Sequence, residues 1–171
     1  SPDRALGYGG VGVALASPPA FEATDGLVGR WPLDGTGSTA TDVAGGNDGA
    51  VRGSPSQGVD GVFDTTAYDF GASNDNYVEV SDASVLRPAT LSVGGWYRTD
   101  SGANSQTLLQ KADSRYGEKG YAVDVQTVNS LRGHVAVESG QAAVNPFGID
   151  TQDGAWHHVF MTWDGDRKSV V

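Results

Sequence analysis

Two neighbouring segments of the chain alternate apolar and polar residues at every second position. In "YAVDVQT", residues 121–127, Tyr121, Val123 and Val125 share one face of an extended backbone, and "LRGHVAVE", residues 131–138, repeats this period. Successive side chains of a β-strand point to opposite faces, whereas a helix has a longer period. The pattern therefore predicts two strands joined by a tight connection at "VNS".

The rest of the chain also has the pattern of short strands separated by turns. Its 25 glycines, with aspartate and asparagine, mark turns throughout, and helical periodicity is hard to find. Many short strands joined by such turns predict an all-β sandwich or barrel. Residues from Thr36 to Asp60 are mostly small and polar, so we expect long surface loops there with one short strand. The further strands are predicted at Leu27–Leu33, Ala50–Arg52, Ala67–Phe70, Tyr77–Val80, Thr90–Arg98, Thr107–Lys111, Ala142–Val144 and Trp156–Trp163.

The segment "GAWHHVFMTWDGD", residues 154–166, places two histidines side by side. Its aromatic and β-branched residues, followed by Asp164-Gly165, predict a strand that enters a hairpin turn. On a strand His157 and His158 point to opposite faces and do not chelate one metal ion together. Both faces are largely apolar, so we expect a central strand covered on both sides, with histidines hydrogen-bonded inside a sandwich. A metal site using one histidine and remote ligands is the alternative. The four tryptophans are expected in the core or between sheets.

Composition restricts the chemistry and the partners. The 171 residues suit one domain with a sizeable core. The absence of cysteine excludes disulfides, thiolate metal sites and cysteine catalysis. A formal charge of −10 disfavours nucleic acid and anionic membranes as partners, and no apolar run approaches the length of a membrane span. Most of the 21 acids are aspartate and lysine is scarce, which is typical of a halophilic protein, although a GC-rich genome gives part of this bias.

Seven motifs follow one another along the chain in a fixed order. They are "GLVGRWPLDG" (Gly26–Gly35), "TDVAGGNDG" (Thr41–Gly49), "AYDFGASNDNYVEVSD" (Ala67–Asp82), "LSVGGWYRTD" (Leu91–Asp100), "TLLQKAD" (Thr107–Asp113), "GYAVDV" (Gly120–Val125) and "DGAWHHVFMTWDGD" (Asp153–Asp166). In this order they resemble the laminin-G-like branch of the concanavalin A-like lectin/glucanase superfamily. The resemblance covers residues 24–171 and implies a jelly-roll sandwich of two curved antiparallel sheets.

The two ends depart from the sandwich pattern. Residues 1–23 contain "ALGYGGVGVALA" and are expected to form a glycine-rich apolar arm or edge strand, with a faint likeness to a signal peptide. At the other end the family continues with closing strands, whereas this sequence stops in "RKSVV". We expect a longer parent chain or neighbouring subunits to complete the sandwich.

Calcium is the cofactor that the resemblance implies. Some relatives hold Ca²⁺ near the loop that corresponds to "TDVAGGNDG", where Asp42, Asn47 and Asp48 offer oxygen ligands among glycines. The acidic loop "ASNDN", residues 72–76, is a second candidate. Aspartate and asparagine in glycine-rich loops are also ordinary turn formers.

Glycan binding would use exposed aromatic rings beside planar polar groups. Two such pairs are predicted near the rim: Arg115 with Tyr116, and Asn145 with Phe147. Each aromatic is also a plausible loop anchor. Glucanases of the superfamily need two carboxylates close together on an exposed face. No glutamate belongs to such a cluster, and Glu79 with Asp82, which lies beyond the predicted strand, is the nearest approach.

The sequence thus predicts a non-catalytic extracellular module for recognition or adhesion, binding a glycan or a partner surface. The alternative is a structural subunit or decoration of a larger assembly, such as an adhesin, a cell-wall protein, or a viral spike or fibre. A glycoside hydrolase is the least favoured reading. Either main reading implies a location outside the cell, on the cell surface or on a virion surface.

Overall fold

The computed structural model describes residues 26–71, 73–100, 106–112, 120–126, 130–137, 140–144, 151–165 and 168–170. Within these residues the chain forms strands and one short 3-10 turn at Ser84–Leu86, with no α-helix. The strands are β1 (Thr39–Ala40), β2 (Gly49–Arg52), β3 (Ser56–Asp60), β4 (Thr66–Asp69), β5 (Tyr77–Val80), β6 (Leu91–Arg98), β7 (Gln106–Ala112), β8 (Gly120–Gln126), β9 (Ser130–Val137), β10 (Gly140–Val144), β11 (Trp156–Trp163) and β12 (Lys168–Val170). The predicted arm, residues 1–23, lies outside the described residues, and the domain boundary at 24 stays a prediction.

The strands pair only antiparallel in the described part of the chain. Four consecutive strands form the order β10-β9-β8-β7, and a second sheet has the order β12-β11-β6. Two smaller ladders, β1-β2-β5 and β3-β4, come from the first half of the chain. The predicted all-β antiparallel sandwich is confirmed.

The hydrophobic core lies between the two larger sheets. Each of its side chains comes from the apolar face of an alternating strand, so period two in the sequence becomes burial in the structure. Burying one such side chain contributes roughly 1.5–3 kcal/mol. The core residues are Tyr97 of β6, Val123 and Val125 of β8, Leu131 and Val135 of β9, and Val159, Met161 and Trp163 of β11.

Two predictions for the first half of the chain are wrong. Leu27–Leu33 forms no strand: the Asp42 side chain accepts the Arg30 backbone N–H that strand pairing would use, and Trp31 Nε1 donates to the backbone carbonyl of Asn47. Leu33 also has a φ of 56°, outside the strand region.

The segment 36–60, expected to be loops around one strand, instead contains β1, β2 and β3. β3 has little apolar character and includes Gly58 at a φ of 74°, where the pairing with β4 shifts register.

Strand β11 has the bounds predicted for it, but only one of its faces is covered. Its register with β6 places His157 opposite Tyr97 and His158 opposite Trp96. His157 faces the core side and lies 2.8 Å from Asp153 Oδ1 through Nε2, whereas His158 is exposed on the other face. The divergence of the histidines is confirmed, and cover on both sides is wrong: Phe160 is 38% exposed.

Candidate functional site

The residues predicted to contact a glycan lie outside the described residues. This holds for Arg115, Tyr116, Asn145 and Phe147. Their role stays a prediction, and the site is built below from residues that the structure describes.

The loop predicted to bind calcium is organised around one carboxylate. Asp42 Oδ1 accepts backbone N–H groups from Arg30, Ala44 and Gly45 at 2.8–3.0 Å. Asp42 Oδ2 accepts the backbone N–H of Asn47 at 2.9 Å and its side-chain amide at 3.3 Å. Asp48 Oδ1 in turn accepts the Asp42 N–H at 2.8 Å. The structure therefore brings Asp42, Asn47 and Asp48 together in one loop through hydrogen bonds.

The donor set of this loop does not fit a calcium ion in the conformation described. Burial of Asp42 opposes ionisation, but four backbone N–H donors outweigh it and hold the pKa of this carboxyl well below its usual range. Both oxygens already face N–H groups, whereas Ca²⁺ needs six or more oxygen ligands that face the ion. The described residues also contain no group of three acidic or histidine side chains placed for a metal. Asp42 acts here as a hydrogen-bond acceptor that fixes the loop.

The second acidic loop has a similar structural use. Ala72 lies outside the described residues, but Asn76 does not: its Oδ1 accepts the Ser54 N–H at 2.8 Å and its Nδ2 donates to the Phe70 carbonyl at 2.8 Å. Asp75 is exposed. Asn76 thus joins two turns, and its side-chain oxygen is occupied by a donor.

The two carboxylates closest to a glucanase pattern are both held by cations. Glu79 Oε2 lies 2.6 Å from the Arg52 guanidinium. Asp82 follows the end of β5, as expected, and forms ion pairs with Lys111 and Arg87. The Lys111 hydrogen bond, with both cations, lowers the pKa of Asp82. A general acid in a glycosidase needs a raised pKa, so Asp82 is the wrong kind of carboxyl for that step.

A buried ion pair on the four-stranded sheet was missed by the sequence reasoning. The register aligns Thr107, Asp124 and Arg132 across β7, β8 and β9 on the face opposite the core. Asp124 is inaccessible to solvent, accepts the Thr107 hydroxyl at 2.8 Å, and lies 2.6 Å from the Arg132 guanidinium. The polar residue between Val123 and Val125 was the available signal. Asp124 is fully buried, so this ion pair lies within the sheet, whereas Thr107 at the end of the row is exposed.

The uncovered face of β6 and β11 carries a row of aromatic rings, which we call the aromatic face. It consists of Trp96 from β6, three rings from β11 and one ring from the loop between β3 and β4. Trp96 lies at its centre, 5.1 Å from the His158 ring and 5.2 Å from the Phe63 ring, centroid to centroid. His158 is nearly parallel to Phe160, at 14° and 6.3 Å. Trp156 completes the row, with the Arg98 guanidinium 5.1 Å from its ring.

This face is exposed where most aromatic side chains would be covered. The exposed fractions are 76% for Phe63, 44% for Trp96 and 38% for Phe160. The expectation that Trp96 packs in the core is therefore wrong, whereas Trp163, on the opposite face, is buried. Contiguous exposed apolar surface on a soluble domain marks a place of interaction.

Two backbone features build the aromatic face. A Cβ at Gly94 would lie 2.7 Å from the Phe160 ring, so glycine there lets that ring lie over β6. The loop 61–65 is closed by the Gly61 N–H to the Thr65 carbonyl at 2.9 Å, and Phe63 at its tip has a φ of 54°. For a bulky residue this φ costs about 1–3 kcal/mol. The alternation of residues along β6 and β11 was predictable from the sequence. The presence of Phe63 beside these strands was not, because it comes from a distant loop.

Within the described residues, no helix has the length and apolar character needed to cross a membrane.

Comparison with known proteins agrees with this geometry. A laminin G family model of the concanavalin A-like lectin/glucanases superfamily matches residues 71–170. No curated protein matches the chain. A crystal structure of an S-layer domain-containing protein from Clostridium thermocellum, residues 221–444, is similar, with a TM-score of 0.55 and 19% identity. The match covers 84% of this chain and 67% of that chain, and at this identity it shows a shared fold.

Proposed function

The chain belongs to the concanavalin A-like lectin/glucanases superfamily, and on that premise we propose that it is a non-catalytic extracellular recognition module. The observation that carries the proposal is the aromatic face. Three of its rings are more than a third exposed, although aromatic side chains bury large areas when a partner is available. Covering a surface of this kind with a ligand or partner lowers the free energy, because apolar area is removed from water.

The arrangement of carboxylates supports binding without cleavage. Glu79 and Asp82 are engaged by cations, and the pKa of Asp82 is lowered by its Lys111 partner. Retaining and inverting glycosidases both need one carboxyl that stays protonated and a second that stays free. The proposal therefore assigns no hydrolytic step to this chain.

The alternative is a structural or decorative unit of a larger surface assembly. Its support is the similar fold of the S-layer domain-containing protein. A fold shared at this level carries no ligand or partner with it. Both alternatives place the chain on a cell surface, on a virion or elsewhere outside the cell. They differ in whether the module recognises a glycan or partner surface or serves as a structural part of a larger assembly.

The test measures binding and cleavage with the same preparation. The full chain is applied to an array of glycans and to immobilised surface-layer protein, and the same glycans are incubated with it and examined for shortened products. Recognition predicts retention on at least one surface with no cleavage. Cleavage that Glu79→Gln abolishes would overturn the proposal, as would the absence of retention on every surface.

A further inference from the structure

We propose that the open edge of β6 pairs with the apolar segment Val11–Leu15 of the same chain, which adds one strand to the sheet β12-β11-β6. The proposal concerns the edge of this sheet and not its aromatic face, so it goes beyond the recognition function and does not depend on it. It is carried by the strand order, by the partial exposure of two core side chains, and by the sequence that precedes the described residues.

The first observation is that β6 has a strand on one edge only, within the described part of the chain. β6 pairs with β11 through its eight residues, Leu91–Arg98, in unbroken register. No strand of the described residues pairs with its other edge. Because an antiparallel strand directs its N–H and C=O groups to both edges in alternation, half of the β6 backbone groups point away from β11. Such a row of groups is a template for another strand.

The second observation is that β6 lacks the features that usually protect an edge. Natural edge strands carry charged side chains, proline or a β-bulge, each of which obstructs pairing. The edge strand β7, for comparison, has Lys111 and a shift of register between Thr107 and Leu109. β6 has no proline and no bulge, and its one charged residue is Arg98 at its end. A long and regular edge of this kind is expected to be covered by another segment.

The third observation is that the core is incompletely covered along β6. Leu91 and Val93 pack against the hydrophobic core but are only partly buried, whereas Trp163 and Met161, opposite them on β11, are buried. A strand beside β6 would remove this apolar area from water if its inward side chains were apolar. Its outward side chains would lie beside the large ring of Trp96, where small residues fit. The edge therefore suits an uncharged strand that alternates branched apolar and small residues.

The segment Val11–Leu15 has this alternation. In "VGVAL" the two valines and the leucine share one face of an extended backbone, and glycine and alanine share the other. Residues 5–21 carry no charged side chain, and Pro18 follows the segment, where a strand would end. The internal stretches of sequence outside the described residues are short and have no such alternation. Among the residues that the structure does not describe, this segment is therefore the one whose chemistry matches the edge.

The connection between the segment and the domain is long enough for pairing within one chain. The Asp34 carbonyl accepts the Thr66 hydroxyl at 2.9 Å, and Thr66 follows the loop that carries Phe63, whose ring contacts Trp96 of β6. The stretch between Leu15 and Asp34, extended at ~3.3 Å per residue, spans roughly 60 Å, several times the radius of gyration of about 15 Å expected for a domain of this size. Tethering also gives the segment a high effective concentration at the edge, so no second copy is needed.

The experiment measures amide hydrogen exchange of Leu91–Arg98, residue by residue, in the full chain. Val13→Asp places a charge on the face of the segment that is directed to the core. Ala14→Asp is the matched control, because it places the same charge one residue later, on the outward face. Val13→Thr is a milder variant that keeps the shape of the side chain. Each protein is also checked for a cooperative melt and for its mass in solution.

The parent chain should be a monomer in which the β6 amides on both edges exchange slowly, because both edges are paired. Val13→Asp should accelerate exchange of the amides that face away from β11 about tenfold or more, since a charge buried without a partner opposes docking. Val13→Thr should accelerate the same amides by less. Ala14→Asp should leave them within about twofold of the parent, as for an exposed site. The amides that face β11 should stay slow in every variant.

Four outcomes would overturn the proposal. Fast exchange of every second β6 amide in the parent would show that the edge is open. Slow exchange that none of the variants alters would mean that another segment covers the edge. Equal acceleration by Val13→Asp and Ala14→Asp would contradict the alternation of a paired strand. A parent dimer that Val13→Asp converts to a monomer would assign the segment to a second copy. Retention on a glycan or protein surface enters none of these readouts, so the recognition function stands or fails separately.

Discussion

Replacement of Asp42 by asparagine tests how the loop 41–49 is held. The change removes the charge and turns one oxygen into an amide that faces the Asn47 N–H and the Asn47 side-chain amide, so donors oppose donors. Hydrogen bonds to charged groups are worth about 1.5–3 kcal/mol, and an unsatisfied buried donor costs about 1–3 kcal/mol. Since Asn retains one acceptor oxygen, we expect a net loss of about 2–4 kcal/mol.

The measurement is thermal unfolding at neutral pH with Asp75→Asn as the control. Asp75 is an exposed aspartate, so its replacement changes the net charge in the same way. For a chain of this length the expected loss corresponds to a fall in melting temperature of roughly 5–15 °C. The control should stay within a degree or two of the parent, on the order expected for an exposed site.

The pH dependence gives a second check with a definite sign. The folded pKa of Asp42 is lowered, so its stabilisation is present above the pKa of an unfolded aspartate, about 3.9. It is lost as the pH falls from there toward the folded pKa. The gap between the parent and Asp42→Asn should therefore narrow in acid. Equal melting of Asp42→Asn and the control at neutral pH, or a gap that persists in acid, would refute this account.

Three further predictions follow from charge and burial. The melting temperature should be the same in millimolar calcium as in a chelator, because both Asp42 oxygens face N–H groups. A melting temperature several degrees higher in calcium would contradict this. Molar salt should raise the melting temperature, because it screens the repulsion within a chain of formal charge −10; a melting temperature independent of salt would remove the halophile argument. Arg132→Met should cost about 3–5 kcal/mol in urea unfolding, because it leaves the Asp124 charge buried without its cation. Adding Asp124→Ala to that variant should recover much of the loss, and a single variant as stable as the parent would show that the pair contributes little.

Local pattern was sufficient to predict the strands of the sandwich core. β11 has its predicted bounds because its aromatic and β-branched run ends at an Asp-Gly turn, and β8 and β9 follow strict alternation. In each case the signal and its cause lie within a few neighbouring residues. The divergence of His157 and His158 was predictable for the same reason, since it depends only on the geometry of an extended chain.

Contacts between distant segments decided what the sequence reasoning missed. Residues 27–33 look like a strand, but Asp42, twelve positions after Arg30, takes the N–H that a ladder would use. β3 has a weak pattern and forms because β4 pairs with it through a bulge. In both cases the hydrogen-bond partner of a backbone group comes from another segment of the chain. Local residue propensity cannot predict such a partner.

Sequence by itself determined the all-β class, the antiparallel strands of the core and the side of β11 on which each ring lies. Tertiary structure decided that the side with Trp96, His158 and Phe160 is open and that Phe63 joins it from another loop. The physical reason is that period two fixes only which residues share a face, whereas exposure depends on what packs against that face. The same alternation that buries Val159 and Met161 thus places Trp96, His158 and Phe160 on the exposed face.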